Sequence, residues 1–174
     1  MAFPEAFTTE RLRAERLTAD HRAEVLRMFG DPGVMAQLGG IRDEHQADEY
    51  LTRNLEHWTK YGFGLWIVYE LAGETPIGRA VLRHLLVDDV DEVEVGYAFY
   101  PEFWGRGLAT EVATACVAFG RERLGVSSLV AVTHRDNHAS QHVLRKVGLI
   151  YERDITFEGA PASLFRTQWP EGGS

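Results

Sequence analysis

A single cysteine, Cys116, stands among 174 residues, so no internal disulfide can form. Its place on an apolar stripe with Val112 and Phe119 marks a buried small hydrophobe rather than a nucleophile. No apolar run approaches the roughly 20 residues that a membrane-spanning helix requires. Met1-Ala2-Phe3-Pro4-Glu5 has neither the charged nor the apolar part of a secretory signal. The expected address is cytoplasmic, with no membrane partner. No Gly-Lys pair occurs, which excludes a Walker-type phosphate loop. Cations are in deficit: 18 Lys and Arg against 26 Asp and Glu give a net charge of −8. That balance argues against general affinity for nucleic acid, which needs clustered basic residues to neutralise phosphates. It fits a cationic or amine-bearing partner, and it is also an ordinary solubility charge. Repeats, linkers and low-complexity segments are missing too, and only Pro170 to Ser174 reads as frayed.

What is present suits a soluble fold: 45% hydrophobic and 25% charged residues, and a length that predicts one domain over residues 1–174. Arg11 to Leu17 alternates like a half-buried strand. Thr18 can cap a helix with Val25, Leu26 and Phe29 inward, stopped by Asp31-Pro32-Gly33. Ala47, Leu51, Leu55 and Trp58 place one apolar face on a helix from Glu44 to Tyr61, which Gly62 ends. Phe63–Leu71 and Ile77–Leu85 form a hairpin, and Val93–Phe99 is the next strand. A helix to about Leu124, a strand over Ser128–Val132, a helix over Ala139–Val147 capped by Gly148, and two strands between Leu149 and Trp169 complete the order. The expectation is an α/β layer fold with a mixed, mainly antiparallel sheet of about seven strands and about four helices.

Between the Val93–Phe99 strand and the following helix stands Trp104-Gly105-Arg106-Gly107-Leu108-Ala109. Two glycines without side chains let consecutive N–H groups point at an anion at the positive end of the helix dipole, and Arg106 adds a cation. A pyrophosphate cradle and a plain turn are both compatible with this local pattern. A Rossmann fingerprint is not, since it needs a small residue where Thr110 stands and glycines directly after a first strand.

Strand, Gly-X-Gly-X-Ala turn, helix, strand, Asn137-His138-Ala139-Ser140 helix and Gly148 cap, in that order, resemble the GNAT N-acetyltransferase superfamily. The branch it looks like is named for the ribosomal-protein Nα-acetyltransferases. Asp31 to Met35, Gly62 to Trp66, Glu94 to Tyr97, Tyr100 to Glu111 and Lys146 to Leu149 all take part in that likeness. The resemblance implies an acetyl-coenzyme A site between two splayed central strands, Val93–Phe99 and Ser128–Val132. It implies that the backbone of Tyr97, Ala98 and Phe99 pairs with the pantetheine amides. The N–H groups of Trp104, Gly105, Arg106, Gly107, Leu108, Ala109 and Thr110 would hold the pyrophosphate, and Asn137 the pantetheine arm. Trp104 departs from the Gln or Arg that most members place there, a substitution seen in this branch, which leaves charge compensation to Arg106 and the amides. Leu144 stands where many members carry an acidic Tyr, so the acid role falls on Ser140.

Acetyl transfer to an amine needs a group that takes the amine proton, because such amines have pKa values of roughly 8 to 10.4. Glu94, on one pleat face with Gly96 and Ala98, is the expected base; a salt-bridge role with Arg83 is the other reading. His84 and His134 stand in reserve. No metal is assigned to His84, His134 and His138, since no Cys-X-X-Cys pattern accompanies them. The oxyanion would meet backbone N–H near Ala98 or Phe99. Trp58, Phe63 and Trp66 are expected in the acceptor wall and the core beneath it. The expected function is acetyl-coenzyme A-dependent transfer to a primary amine, on a protein N-terminus or a small molecule, by a monomer or homodimer. The alternative is a non-catalytic acyl-coenzyme A-binding module of the same fold. The acceptor pocket is expected from residues 33–43, residues 60–66 and the C-terminal hairpin.

Overall fold

The computed structural model describes residues 3–170, so residues 171–174 of the tail expected to fray lie outside them. In chain order the elements are β1 (Ala6–Thr8), β2 (Leu12–Arg16), α1 (Arg22–Phe29), α2 (Pro32–Met35), α3 (Glu44–Tyr61), β3 (Leu65–Glu70), β4 (Pro76–Val87) and β5 (Val90–Phe99). Then come α4 (Leu108–Arg123), β6 (Val130–His134), α5 (His138–Lys146), β7 (Leu149–Phe157) and β8 (Ala160–Thr167). The strands form one sheet in the order β1-β2-β3-β4-β5-β6-β8-β7, antiparallel except for β5 beside β6. The mixed, mainly antiparallel α/β fold is therefore as the sequence indicates, with one strand and one helix more than counted.

Each difference has a local cause. β1 is too short to show a period and exists by pairing with β2. Asp31 does end the first helical run, but its carboxylate then accepts from the Val34 N–H at 3.0 Å and starts α2, with Pro32 at the first position. β4 and β5 run on past the expected ends because Asp88 and Asp89 both adopt positive φ, 47° and 64°. A two-residue turn of that hand matches strand twist, and aspartate tolerates it better than most residues.

The alternation of strand side chains divides the core. Trp66, Val68, Leu82, Val95, Ala131 and Phe165 face α4 and α5, meeting Leu108, Val112, Cys116 and Leu144. Leu65, Ile67, Tyr69 and Val81 face the other way, against α1, α2 and α3. α3 begins with a reciprocal cap, Asp43 accepting from the Gln46 N–H at 2.8 Å and Gln46 accepting from the Asp43 N–H at 2.9 Å. Gly62 closes it at φ 74°. Trp58, Phe63 and Trp66 are buried core residues, as expected of the core beneath the pocket, the Trp58 indole donating to the Leu65 carbonyl, and none of them lines either of the two cavities described below. Among the described residues no helix is long and apolar enough to cross a membrane.

Candidate active site

β5 and β6 share one bridging pair, Glu94 with Val130. Beyond it they part: Val95 to Phe99 pair only with β4, and Ala131 to His134 only with β8. The parting leaves two strand edges facing a gap, where the amide groups of an extended ligand can add to the ladder.

At one end of the gap lies the glycine turn. Gly105 and Gly107 have φ of 73° and 77°, a region that costs an L side chain about 1–2 kcal/mol. Gly107 caps α4 without any side-chain acceptor, so the N–H groups of Leu108, Ala109 and Thr110 have no capping partner. Arg11 holds the turn, donating through Nη1 to the Arg106 carbonyl at 2.8 Å. A groove of about 910 Å³ runs from this turn to α5, lined by Tyr97, Ala98, Phe99, Trp104, Gly107, Thr110, Asn137 and Ser140 among others. Trp104 is exposed, and its indole donates to the Phe99 carbonyl at 2.8 Å. The Arg106 guanidinium turns to Glu70 at 3.0 Å and does not line the groove. His138, His142 and Lys146, spaced by one turn along α5, line the groove instead. Their spacing with His134 looks like a metal pattern, but among the described residues no group of three metal-binding side chains converges.

Asn137 caps α5, accepting from the Ser140 N–H at 3.1 Å. The Tyr97 phenol donates to the Ser140 carbonyl at 3.1 Å and lies 3.2 Å from Ser140 Oγ. Burial pushes that phenol up to about 12. Leu144, one turn along α5, is buried beside the same gap.

A second cavity of about 470 Å³ meets the groove at Tyr97, Asn137 and Ser140. Glu94 lines it, its Oε2 accepting from Arg83 Nε at 3.3 Å. Glu94 Oε1 lies 3.1 Å from where a Cβ on Gly96 would stand, so that glycine leaves room for the carboxylate. His57 Nδ1 lies 2.8 Å from the Phe63 carbonyl and Nε2 accepts from the His84 N–H at 2.9 Å, which fixes a neutral tautomer with the proton on Nδ1. Burial holds His57 below its ordinary value, with the neighbouring charges of His84 and Arg83 adding to the effect. His84 Nδ1 sits 3.0 Å from an Asp91 carboxylate oxygen. Arg79 lies deeper, with its guanidinium 5.1 Å from the Tyr50 ring. Burial, and then Arg83, push it down to about 9; an arginine there still keeps its charge at neutral pH.

A profile of the acetyltransferase (GNAT) domain matches residues 11–150. The chain belongs to the GNAT acetyltransferases. It is 30% identical over 152 residues, 82% of its length and 64% of the relative's, to an Aspergillus fumigatus FsC-acetyl coenzyme A-N(2)-transacetylase. In fold it is similar to an acetyltransferase from Agrobacterium tumefaciens, with a TM-score of 0.84, 22% identity and coverage of 97% and 96% of the two chains. It is also similar to RimL, a ribosomal L7/L12 alpha-N-protein acetyltransferase in complex with coenzyme A. There the TM-score is 0.73 at 14% identity, over 95% and 97% of the chains.

In this acetyltransferase Tyr97, Asn137 and Ser140 stand where the two cavities meet and Glu94 lines the second cavity alone, while Trp104, Gly105 and Gly107 to Thr110 line the groove. Residues 33–43 and the C-terminal hairpin contribute to the second cavity, but residues 60–66 do not; α3 supplies Tyr50, Arg53, Asn54 and His57 in their place. Arg79, His57 and the Tyr97 hydroxyl escaped the sequence reading. Arg79 sits in an otherwise apolar strand run, and that anomaly is the one signal that was available.

Proposed function

We propose that the protein transfers an acetyl group from acetyl-coenzyme A directly to a primary amine at the junction of the two cavities. The observation that carries this reading is the single Glu94–Val130 bridge, which opens β5 beside the uncapped start of α4. The residues present fit the cosubstrate. Three N–H groups at a helix start without a cap suit a pyrophosphate, and the edge that β6 leaves open along Tyr97, Ala98 and Phe99, where the Trp104 indole takes the Phe99 carbonyl, suits the pantetheine amides. Lys146, His138 and His142 flank the groove with donors, and Asn137 stands at its mouth. When bound, acetyl-coenzyme A supplies an acetyl group on a thiol leaving group.

The chain's residues have the remaining work. Glu94, steadied by Arg83, draws the proton from the incoming amine, directly or through water. Backbone N–H near Ala98 or Phe99 meets the charge that develops on the carbonyl oxygen. Ser140, bonded to Tyr97, presents a hydroxyl toward the leaving sulfur, in a place where Leu144 offers none. A thiol leaves well unaided, so this help is modest.

Acetyl-coenzyme A, and not NADH or ATP, is expected to raise the melting temperature. At a hundred times its Kd a ligand adds about 2.7 kcal/mol of stability. Gly107→Glu, which puts a strained carboxylate in the cradle, should remove the shift while the protein stays folded. No shift with millimolar acetyl-coenzyme A contradicts the reading.

A further inference from the structure

Arg79 is an arginine with no ion-pair partner among the described residues. It stands on β4 opposite Ala98 of β5 and Ile67 of β3, on the pleat face that carries Arg83, Glu94 and Gly96 into the second cavity. Its Nε and Nη1 are shut off from solvent with no hydrogen-bond partner among the described residues. Nη2 is not among the atoms closed off in this way, and the residue as a whole is partly exposed where it lines the cavity. Its guanidinium carbon lies 5.1 Å from the centre of the Tyr50 ring, within cation–π distance. Glu94, the carboxylate along the strand pair, is engaged by Arg83.

The surroundings add positive charge instead of cancelling it. Arg42 and Arg53 line the same cavity, so four arginines stand there against Glu94 and Glu158. This is the reverse of the chain's net charge of −8. A buried unpaired cation is destabilising on its own, and a guanidinium matches the geometry of a carboxylate or phosphate better than any other side chain does. A cavity of about 470 Å³ is within the size range of small-molecule sites.

We propose that the acceptor is a small amine bearing an anionic group, a carboxylate or a phosphate, which Arg79 receives while the amine is directed toward Glu94 and Tyr97. The proposal rests on the N-acetyltransferase reading of the same cavity, and it adds an anionic group to the amine-bearing partner that the net charge fits. Arg79 is then a specificity-determining residue: it selects the acceptor and takes no proton.

The test is coenzyme A release over matched sets of amines. Each set holds an amino acid, its carboxamide and the phosphate ester of the corresponding amino alcohol, with rates compared at equal concentrations of free-base amine. The anionic members should exceed the carboxamide in kcat/KM by about tenfold or more, chiefly through KM, a factor equivalent to about 1.4 kcal/mol. The carboxylate and phosphate arms tell the two sources apart. Arg79→Met should bring the anionic-to-neutral ratio toward one, and Arg79→Lys should keep part of it. Arg79→Met should also melt no lower than the wild type, having lost an unpaired buried charge, and acetyl-coenzyme A should still shift it. The same anionic amines should raise the melting temperature of the wild type and not of Arg79→Met, a reading that needs no turnover. Equal rates for carboxamides and anionic amines, or equal thermal shifts in both proteins, overturn the proposal. Loss of the acetyl-coenzyme A shift in the wild type overturns the N-acetyltransferase reading instead.

Discussion

The phenol of Tyr97 meets both oxygens of Ser140, 3.1 Å from its carbonyl and 3.2 Å from Oγ. The bond crosses from β5 to α5 at the point where β5 has lost its neighbour β6. It gives the Ser140 hydroxyl a partner on the opposite wall.

If Ser140 assists the leaving thiolate, Ser140→Ala should raise the barrier of the chemical step by about 1 to 3 kcal/mol, the scale of one hydrogen bond at a reacting centre. Tyr97→Phe should cost less, since it leaves the serine in place but unsteadied. Leu144→Tyr added to Ser140→Ala should recover some of the rate, because Leu144 is buried against the same gap. Single-turnover rates check all three, and an unchanged rate in Ser140→Ala removes the role.

Glu94 faces the second cavity and accepts from Arg83, the salt bridge that was the other reading of this carboxylate, and its proposed role as the base is open to a direct test. Glu94→Gln should lower kcat/KM by roughly 10² to 10⁴, with much of the loss regained at high pH where the amine sheds its own proton. Its acetyl-coenzyme A shift should match the wild type. Wild-type turnover at neutral pH would move the role to His84, whose Nδ1 is held by Asp91, to His134 at the end of β6, or to solvent.

His57 predicts a pH dependence of stability. It is neutral in the fold, with Nε2 accepting the His84 N–H, and burial holds it below its ordinary value. The unfolded chain therefore binds this proton more readily than the folded one. Stability is full above about 6.5, the ordinary histidine value, and falls as pH drops toward and through the lower folded value. Losing one acceptor is worth about 1 kcal/mol, or roughly 2–4 °C in Tm for a chain of this length. Thermal melts between pH 7.5 and 5 should show this fall in the wild type and a flatter profile in His57→Gln.

The parts of the fold that obey a period were legible in the sequence. Ala47, Leu51 and Trp58 announced α3, and Val93 to Phe99 announced the central strand. What escaped depends on contacts between distant residues or on rare turns. The Asp88-Asp89 turn carries no glycine, so nothing marked β4 and β5 as one long hairpin. Arg106 stood in the right motif, yet Glu70, 36 residues away in sequence, takes its side chain. Net charge, a sum over the chain, says nothing of the four arginines that line one cavity.

Direct transfer is tested most sharply by rapid quench of the enzyme with acetyl-labelled coenzyme A and an amine acceptor, following label on amine and on protein together. Cys116, the only thiol, is fully buried and pushed up to about 12, so it gives the acetyl group no stopping place on the enzyme. Label should appear on the amine at the rate that coenzyme A is released, with none on the protein and no release when the amine is withheld. Label held on the protein before it reaches the amine, or release that does not depend on the amine, would contradict direct transfer at the gap between β5 and β6.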